Sequence, residues 1–209
     1  YDTSIFGGVS PVLGQSYRLE AGVKAGSLSY ETLLADFRRY IGIARPLSFA
    51  GRFLSYGRYG AAADDTRLEP LFLGYPEMVL GYDISSFTSS ECGPQLALNG
   101  TCPALDRLIG SKMAVVNAEL RLELLGPLGL LQSSAIPPVE LAPFFDAGTA
   151  WTAADKPTFL GGRQHPVSSE GVTLRVNLLG FAIGSISYAI PNHRPGRGHV
   201  WEFALLPGY

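Results

Sequence analysis

A period of two runs through most of this chain and limits its fold more than any other feature of the sequence. The clearest case is KMAVVNAELRLEL at residues 112–124, where apolar and polar side chains alternate. In an extended strand, one face would carry Val116, Ala118, Leu120, Leu122 and Leu124, and the other Asn117, Glu119, Arg121 and Glu123. A helix would scatter those charges around its axis, so the pattern predicts a β-strand with one apolar and one polar face.

The same alternation recurs along the chain and predicts an all-β fold. In EGVTLRVNL, residues 170–178, valines and leucines oppose Thr173, Arg175 and Asn177. In VELAPFFDAG, residues 139–148, Glu140, Phe144 and Asp146 share the polar face. We count about nine strands, near residues 2–9, 15–26, 30–43, 46–58, 112–125, 138–151, 169–179, 181–190 and 199–207.

The connections between these strands alternate in length. SPVLGQ, ARP and LLG are short, whereas residues 59–111, 152–168 and 191–198 form longer segments rich in Gly, Pro, Asp and Arg. Long strands with short turns at one end and long loops at the other indicate an antiparallel transmembrane β-barrel. Aromatic residues near strand ends (Trp151, Trp201 and Tyr209) are typical of an interfacial girdle. A soluble sandwich or a lipocalin-like barrel also alternates and is the alternative fold.

Composition narrows the choice of class. The chain is 46% apolar and 16% charged, yet it has no run of about 18 apolar residues, which excludes a transmembrane helix. A net charge of −2 gives no basic field for nucleic acid. A bilayer tolerates no open sheet edge, and single-chain bacterial barrels use an even number of strands. We therefore expect partner strands in an N-terminal portion that this sequence lacks.

Two cysteines, Cys92 and Cys102, lie ten residues apart in ECGPQLALNGTC. The three histidines are distant in sequence, so a metal site is disfavoured and no cofactor or metal is predicted. A local disulfide formed in an oxidising compartment is the favoured interpretation, and two free thiols are the alternative.

The long segment at about 59–111 contains PEMVLGYDISSF, residues 76–87, which is far more apolar than an exposed loop requires. Within it lies Val79-Leu80-Gly81-Tyr82. Further along the chain come Glu119 in MAVVNAEL, then Phe144-Phe145-Asp146 followed by AGTAW and its Gly148. The sequence ends in WEFALLPGY, with Trp201, Phe203, Leu205 and Tyr209 on one face.

In their order and on their faces, these motifs resemble the C-terminal barrel region of the bacterial surface antigen family, the superfamily of BamA, TamA and the two-partner secretion transporters. The resemblance covers essentially all of residues 1–209 and implies strands eight to sixteen of a sixteen-strand barrel. It implies that residues 79–82 fold back into the lumen, that Glu119 and Asp146 are lumen acceptors, and that the last strand carries the assembly signal. LLADFRRY, LFLGYP, ECGP and PGY more narrowly resemble barrels fused to a TolB-like propeller.

The sequence departs from the family motif at one position. The family has Arg where this chain has Leu80, and that Arg binds acceptors on the barrel wall. Arg121 and Arg107 are candidate substitutes, and apolar packing of Leu80, Tyr82 and Phe87 with the disulfide is another anchor. The departure puts family-type activity in question.

Other candidate sites have simpler interpretations. Asp146 and Glu119 are interpreted as lumen polar residues, in preference to a catalytic carboxylate pair. AADDTRLE, residues 62–69, lacks the spacing and Gly of a calcium loop and is interpreted as solvated. RPGRGH, residues 194–199, is basic and could touch lipopolysaccharide phosphates, but a turn-rich loop is favoured. No nucleophile elbow or phosphate-binding glycine loop is present, so we predict no enzyme activity.

Three functions remain open at this point. The first is a bacterial outer-membrane component that inserts or translocates proteins, or anchors a periplasmic domain. The second is a passive pore or structural barrel, and the third is a soluble ligand-binding β protein. The expected partners are outer-membrane lipids and lipopolysaccharide, the assembly machinery acting on the last strand, and the N-terminal strands or periplasmic domain.

Overall fold

The computed structural model describes residues 1–94, 98, 100–132 and 136–207, and in them the chain is an antiparallel β-sheet protein. Nine strands form one sheet in the order β1-β2-β3-β4-β7-β8-β9-β10-β11, and β5 pairs with β6 in a small second sheet. The strands are β1 Ile5–Phe6, β2 Pro11–Lys24, β3 Tyr30–Ala44, β4 Leu47–Tyr59, β5 Leu71–Phe72, β6 Ile109–Gly110, β7 Lys112–Leu125, β8 Val139–Trp151, β9 Val167–Leu178, β10 Ala182–Pro191 and β11 Val200–Pro207.

The predicted alternation sets the two faces of the large sheet. The inner face, defined as the face that carries the β4–β7 loop, holds polar side chains that are mostly buried, among them Asp36, Glu140, Asp146 and Glu202. The outer face holds large apolar side chains that are exposed, including Leu19, Phe53, Val116, Phe145 and Phe203. A sheet that is apolar outside and polar inside suits a membrane barrel, as the sequence predicted. None of the helices in the described ranges is long and apolar enough to cross a membrane.

The first two strands differ from the prediction. The strand expected at 2–9 is reduced to Ile5–Phe6, and β2 begins at Pro11, four residues before the expected start at residue 15. The chain turns at residues 7–10, where Gly7 N donates to Ser10 O at 2.8 Å. Val9 is buried there, and the Ser10 hydroxyl donates to Glu140 on the inner face. These inward contacts bend the chain where a straight strand was predicted.

The nine-strand sheet is not closed. β1 and β11 are its two ends, and no pairing joins them in the described part of the chain. The neighbouring strands between β2 and β11 are paired in register over most of their length, which accounts for the backbone hydrogen bonds of the sheet interior.

The segment between β4 and β7 packs on the inner face. In the described residues it contains β5, β6 and the short helical turns Ile84–Ser86, Ser89–Cys92 and Pro103–Asp106; the turn Thr158–Leu160 lies between β8 and β9. Its apolar residues form the main core with inner-face residues of β4, β7, β8 and β9. The core consists of Leu54, Leu73, Val79, Tyr82, Leu108, Met113, Val115, Ala150 and Val167.

Candidate functional site: the docked β4–β7 loop

The candidate site is the tip of the β4–β7 loop, residues 77–82, where it meets the inner face. Val79 and Tyr82 are fully buried in the main core. Leu80 is 9% exposed and packs with Phe144 of β8 and Ala189 of β10 in a second cluster. The four residues of the loop motif are therefore placed together against the sheet, and burial of their apolar area holds the tip there.

Two glycines make this close approach possible. Gly81 has a φ of +87°, and an added Cβ would lie 3.3 Å from the Cβ atoms of Ala189 and Pro191. At Gly148, the glycine of the β8 motif, an added Cβ would lie 2.8 Å from Cγ2 of Val79. A side chain at either position would push the loop away from the sheet.

Carboxylates on the wall bind the backbone of the tip. Leu80 N donates to Oδ2 of Asp146 at 3.2 Å, and Gly81 N donates to Oε1 of Glu202 at 2.7 Å. Asn117 donates through Nδ2 to Met78 O at 2.6 Å and to Oδ1 of Asp146 at 2.8 Å. These hydrogen bonds to the loop backbone tether the tip without a cationic loop side chain.

The tip crosses the sheet and meets a different strand at almost every residue. Arg52 of β4 donates to Glu77 O at 2.7 Å, and the Tyr82 hydroxyl donates to Ser168 O of β9 at 2.9 Å. With the contacts to β7, β8, β10 and β11 above, residues 77–82 touch six neighbouring strands. The tip is a cross-brace on the inner face.

A buried arginine from the β10–β11 loop holds the other side of the tip. The side chain of Arg194 is fully buried and lies 3.8 Å from the ring centroid of Phe87. It donates to Gly81 O at 2.6 Å and to Ser86 O at 2.9 Å, and it pairs with Glu91 at 2.8 and 3.0 Å. A planar guanidinium can make all these contacts at once.

Arg194 corrects two expectations. Of the two candidate substitutes for the missing motif arginine, Arg121 does pair with Glu119, but its other contact is Pro11 O and not the tip. Among the described residues, no hydrogen bond joins the side chain of Arg107 to the tip. RPGRGH was interpreted as a plain turn-rich loop, whereas its first residue is the buried cation of the site. The sequence showed the basic residues of this loop but not which would point inward.

Glu119 accepts hydrogen bonds on the inner face, but from the arginines of a separate ion network and not from the tip. It pairs with Arg121 at 2.7 Å and with Arg175 at 2.5 Å, and Arg175 also reaches Glu140 at 2.9 Å. The second carboxylate on the tip is Glu202, to which the sequence analysis gave no role. Alternation with Trp201 and Phe203, which places Glu202 on the opposite face of the strand, was the only feature of the sequence that pointed to an inward position.

A cavity of about 350 Å³ lies beneath the tip and is lined by Asp146, Glu202, Arg52 and the two arginines that pair with Glu119. Glu119 and Asp146 both line it, but Glu119 is paired with arginines and Asp146 is bound by an amide and Asn117. Glu119 therefore belongs to the ion network of the inner face, and Asp146 holds the loop. In the described residues, no group of three His, Cys, Asp or Glu side chains is placed to hold a metal ion.

The remaining predicted residues lie in the β4–β7 loop, on β8 and on β11. Cys92 and Cys102 form a disulfide next to Glu91. In AADDTRLE, Asp65 pairs with Arg67 on the surface. Trp201, Phe203 and Leu205 are exposed on the outer face of β11, and Tyr209 lies outside the described residues. Trp151, expected in an exposed girdle, is instead buried beside Phe159.

The pKa of Glu91 gives the loop a defined response to acid. Burial acts to raise this pKa, but hydrogen bonds from Arg194 and Thr88 outweigh it, so the pKa lies below its ordinary value of 4.5. A carboxyl with a lowered pKa stabilises the folded state above its ordinary pKa, and that contribution is lost as the pH falls through the lowered value. We expect the contribution of Glu91 to docking to be constant near neutrality and to be lost as the pH falls below about 4.5.

Urea unfolding midpoints in detergent, taken between about pH 7 and pH 3, measure this response. Glu91→Gln carries no titrating group and should flatten the acid limb. An unchanged pH dependence in that variant would show that another group is responsible.

Comparison with protein families identifies the superfamily of this chain. The model of the Omp85 superfamily domain matches residues 8–205, which spans the sheet from β2 to β11 and includes the docked loop. A comparison with curated proteins gave no significant match. The family match covers nearly the whole chain and agrees with a single antiparallel sheet that is polar inside and apolar outside. This chain therefore belongs to the Omp85 superfamily.

Proposed function

We propose that this chain is the C-terminal part of a sixteen-strand outer-membrane barrel of surface-antigen type. Its role, without bond-making chemistry, is to insert or translocate proteins at the bacterial outer membrane or to anchor a periplasmic domain such as a TolB-like propeller. The observation that carries the proposal is the docked tip, residues 77–82, held on the inner face by Asp146, Glu202 and Arg194. The superfamily match supports the same type of function.

The faces of the sheet support the membrane location and the proposed partners. Exposed apolar side chains on most strands of the outer face fit contact with lipid chains, and lipopolysaccharide is the expected lipid at the long-loop end. The exposed Trp201, Phe203 and Leu205 of β11 form the surface that assembly machinery would meet. The open edges β1 and β11 need further strands in a bilayer, which supports an N-terminal portion that completes the barrel.

A passive pore is the second candidate, and the loop itself favours it. A segment packed on the inner face above a polar cavity would also serve as a plug. In that case the loop limits the flow of ions and has no effect on protein insertion. A soluble binding protein is less compatible with so large an exposed apolar face.

Insertion kinetics test the proposal. The full-length protein, reconstituted in proteoliposomes, should accelerate the folding of an unfolded outer-membrane barrel added from solution. Gly81→Val forces a β-branched residue to a φ of +87° and against Ala189 and Pro191, so it should displace the tip. We expect the insertion rate to fall about tenfold, corresponding to about 1.4 kcal/mol of activation free energy.

Gly180→Val is the matched control. Gly180 also has a positive φ, +81°, but an added Cβ there meets open space in the β9–β10 turn, far from the tip. It should insert substrate at the wild-type rate. If the wild-type protein inserts substrate no faster than empty liposomes, while removing residues 76–87 raises conductance in planar bilayers, the passive pore is the correct function.

A further inference from the structure

We propose that the docked loop holds the edge strand β11 in the sheet, so that β11 can separate from β10 only when the loop tip leaves the inner face. The proposal concerns a coupling within the chain and does not depend on the proposed insertion activity. In the described part of the chain, β11 is bonded to a single neighbour, β10, over eight residues. In the proposed barrel the other edge of β11 faces a strand outside this chain, so the restraints on β11 that the described residues supply are its pairing with β10 and its contacts with the loop.

The first restraint comes from β11 itself. Glu202 lies on the inner face in the middle of β11, opposite Ser187 of β10, and is 8% exposed. Its Oε1 accepts Gly81 N at 2.7 Å and lies 3.5 Å from Asp83 N. Moving β11 outward would strip this carboxylate from the amide and leave both groups without their partners.

The second restraint comes from the loop that leads into β11. Arg194 donates to Gly81 O at 2.6 Å, and its other contacts reach Ser86 and Glu91. The single residue Gly81 therefore joins both anchors, through its N–H to Glu202 and through its C=O to Arg194. The loop that leads into β11 and the middle of β11 are therefore bonded to the same glycine.

The far side of the tip is attached to strands that are interior to the sheet. Arg52 of β4, Asn117 of β7 and Asp146 of β8 hold residues 77–80. The tip thus transfers the stability of interior strands to the edge strand. Because such coupling is reciprocal, loss of the loop must loosen β11 by the same factor by which loss of β11 loosens the loop.

Hydrogen exchange on the full-length protein in proteoliposomes tests the coupling from both sides. Glu202→Met keeps the length of the side chain and removes the acceptor from β11, whereas Gly81→Val displaces the tip without changing β11 or its loop. In both variants we expect the β11 amides, residues 200–206, to exchange at least about tenfold faster, together with the loop amides at 78–83. The amides of β3 and β4 should exchange at the wild-type rate.

Glu170→Met is the matched control, because it removes a carboxylate from β9 that is exposed and faces away from the loop. It should leave β11 unchanged. If Gly81→Val speeds exchange in the loop while β11 stays within about threefold of wild type, the loop does not hold the edge strand and the proposal is wrong. Gly81→Val alone decides the matter if Glu202→Met fails to fold, and neither exchange result depends on whether the protein inserts substrates.

Discussion

Replacing Arg175 with methionine should lower the free energy of unfolding by about 3–5 kcal/mol, the cost of leaving buried charges without their partner. Arg175 of β9 bonds both oxygens of Glu119 on β7 and one oxygen of Glu140 on β8. The Glu140 side chain is only 3% exposed, and Glu119 and Arg175 are less than one-fifth exposed. Urea titration of the protein in detergent micelles measures the change.

Substitutions of two other arginines give values with which the loss at Arg175 can be compared. Arg121→Met leaves Glu119 with Arg175, so we expect a smaller loss, about 1–2 kcal/mol. Arg18 pairs with Glu20 on the surface, where the two side chains are 67% and 52% exposed, so Arg18→Met should cost less than about 0.5 kcal/mol. If Arg175→Met costs no more than Arg18→Met, the network is hydrated and contributes little to stability.

Arg194→Met should have the second large effect and lower the free energy of unfolding by about 3 kcal/mol. We expect the loop to leave the inner face before the sheet unfolds. The change removes the cation from Glu91, whose side chain is 3% exposed, and takes a donor from Gly81 O. The freed segment should become sensitive to proteases between residues 83 and 102, while the sheet stays folded. Limited proteolysis combined with urea titration separates the two effects.

Arg194→Lys and Arg197→Met define the specificity of this result. Lysine keeps the charge but cannot bond Glu91, Ser86 and Gly81 with a planar fork, so an intermediate loss is expected. Arg197→Met removes the same charge from the same β10–β11 loop and should change stability by less than about 0.5 kcal/mol. Equal losses for Arg194→Met and Arg197→Met would mean that net charge, and no specific contact, is responsible.

Local sequence pattern was enough to predict the sheet and its two faces. Side-chain direction in a strand depends only on position, so Leu120 and Phe145 could be placed outside, and Glu119 and Asp146 inside, without knowing which strands pair. The number of strands in the large sheet and the inward position of Val79 and Tyr82 followed from the same pattern and from the family resemblance.

The partners of the loop could not be predicted, because they are distant in sequence. Gly81 is 113 residues from Arg194 and 121 residues from Glu202. Alternation gives the face on which a residue lies but not its height along the strand relative to a loop that crosses the sheet. Arg121 and Arg107 were therefore reasonable substitutes for the motif arginine, and only the contacts in the folded chain, such as those of Arg121 with Glu119 and Pro11 O, show that another residue holds the tip.

The first strand shows a second limit. Residues 2–9 fit an extended pattern, but two consecutive glycines allow the chain to turn inward after Phe6. Asn177 of β9 donates to Gly8 O at 2.8 Å, a contact over 169 residues that competes with strand extension. Tertiary contacts of this kind override a local β preference.

The chemistry of the cross-brace determines where this protein tolerates mutation. Most of its hydrogen bonds to the wall use the loop backbone, at Glu77 O, Met78 O, Leu80 N and the N–H and C=O of Gly81. A backbone group is kept in almost any substitution, so the loop can carry Leu80 in place of the motif arginine and still dock. The wall residues that bind it, Asp146, Glu202 and Arg194, have no such freedom, since their side chains make the bonds. The capacity to hold the loop is thus encoded mainly outside the loop, and a search guided by the loop's side chains alone would overlook proteins that dock it in the same way.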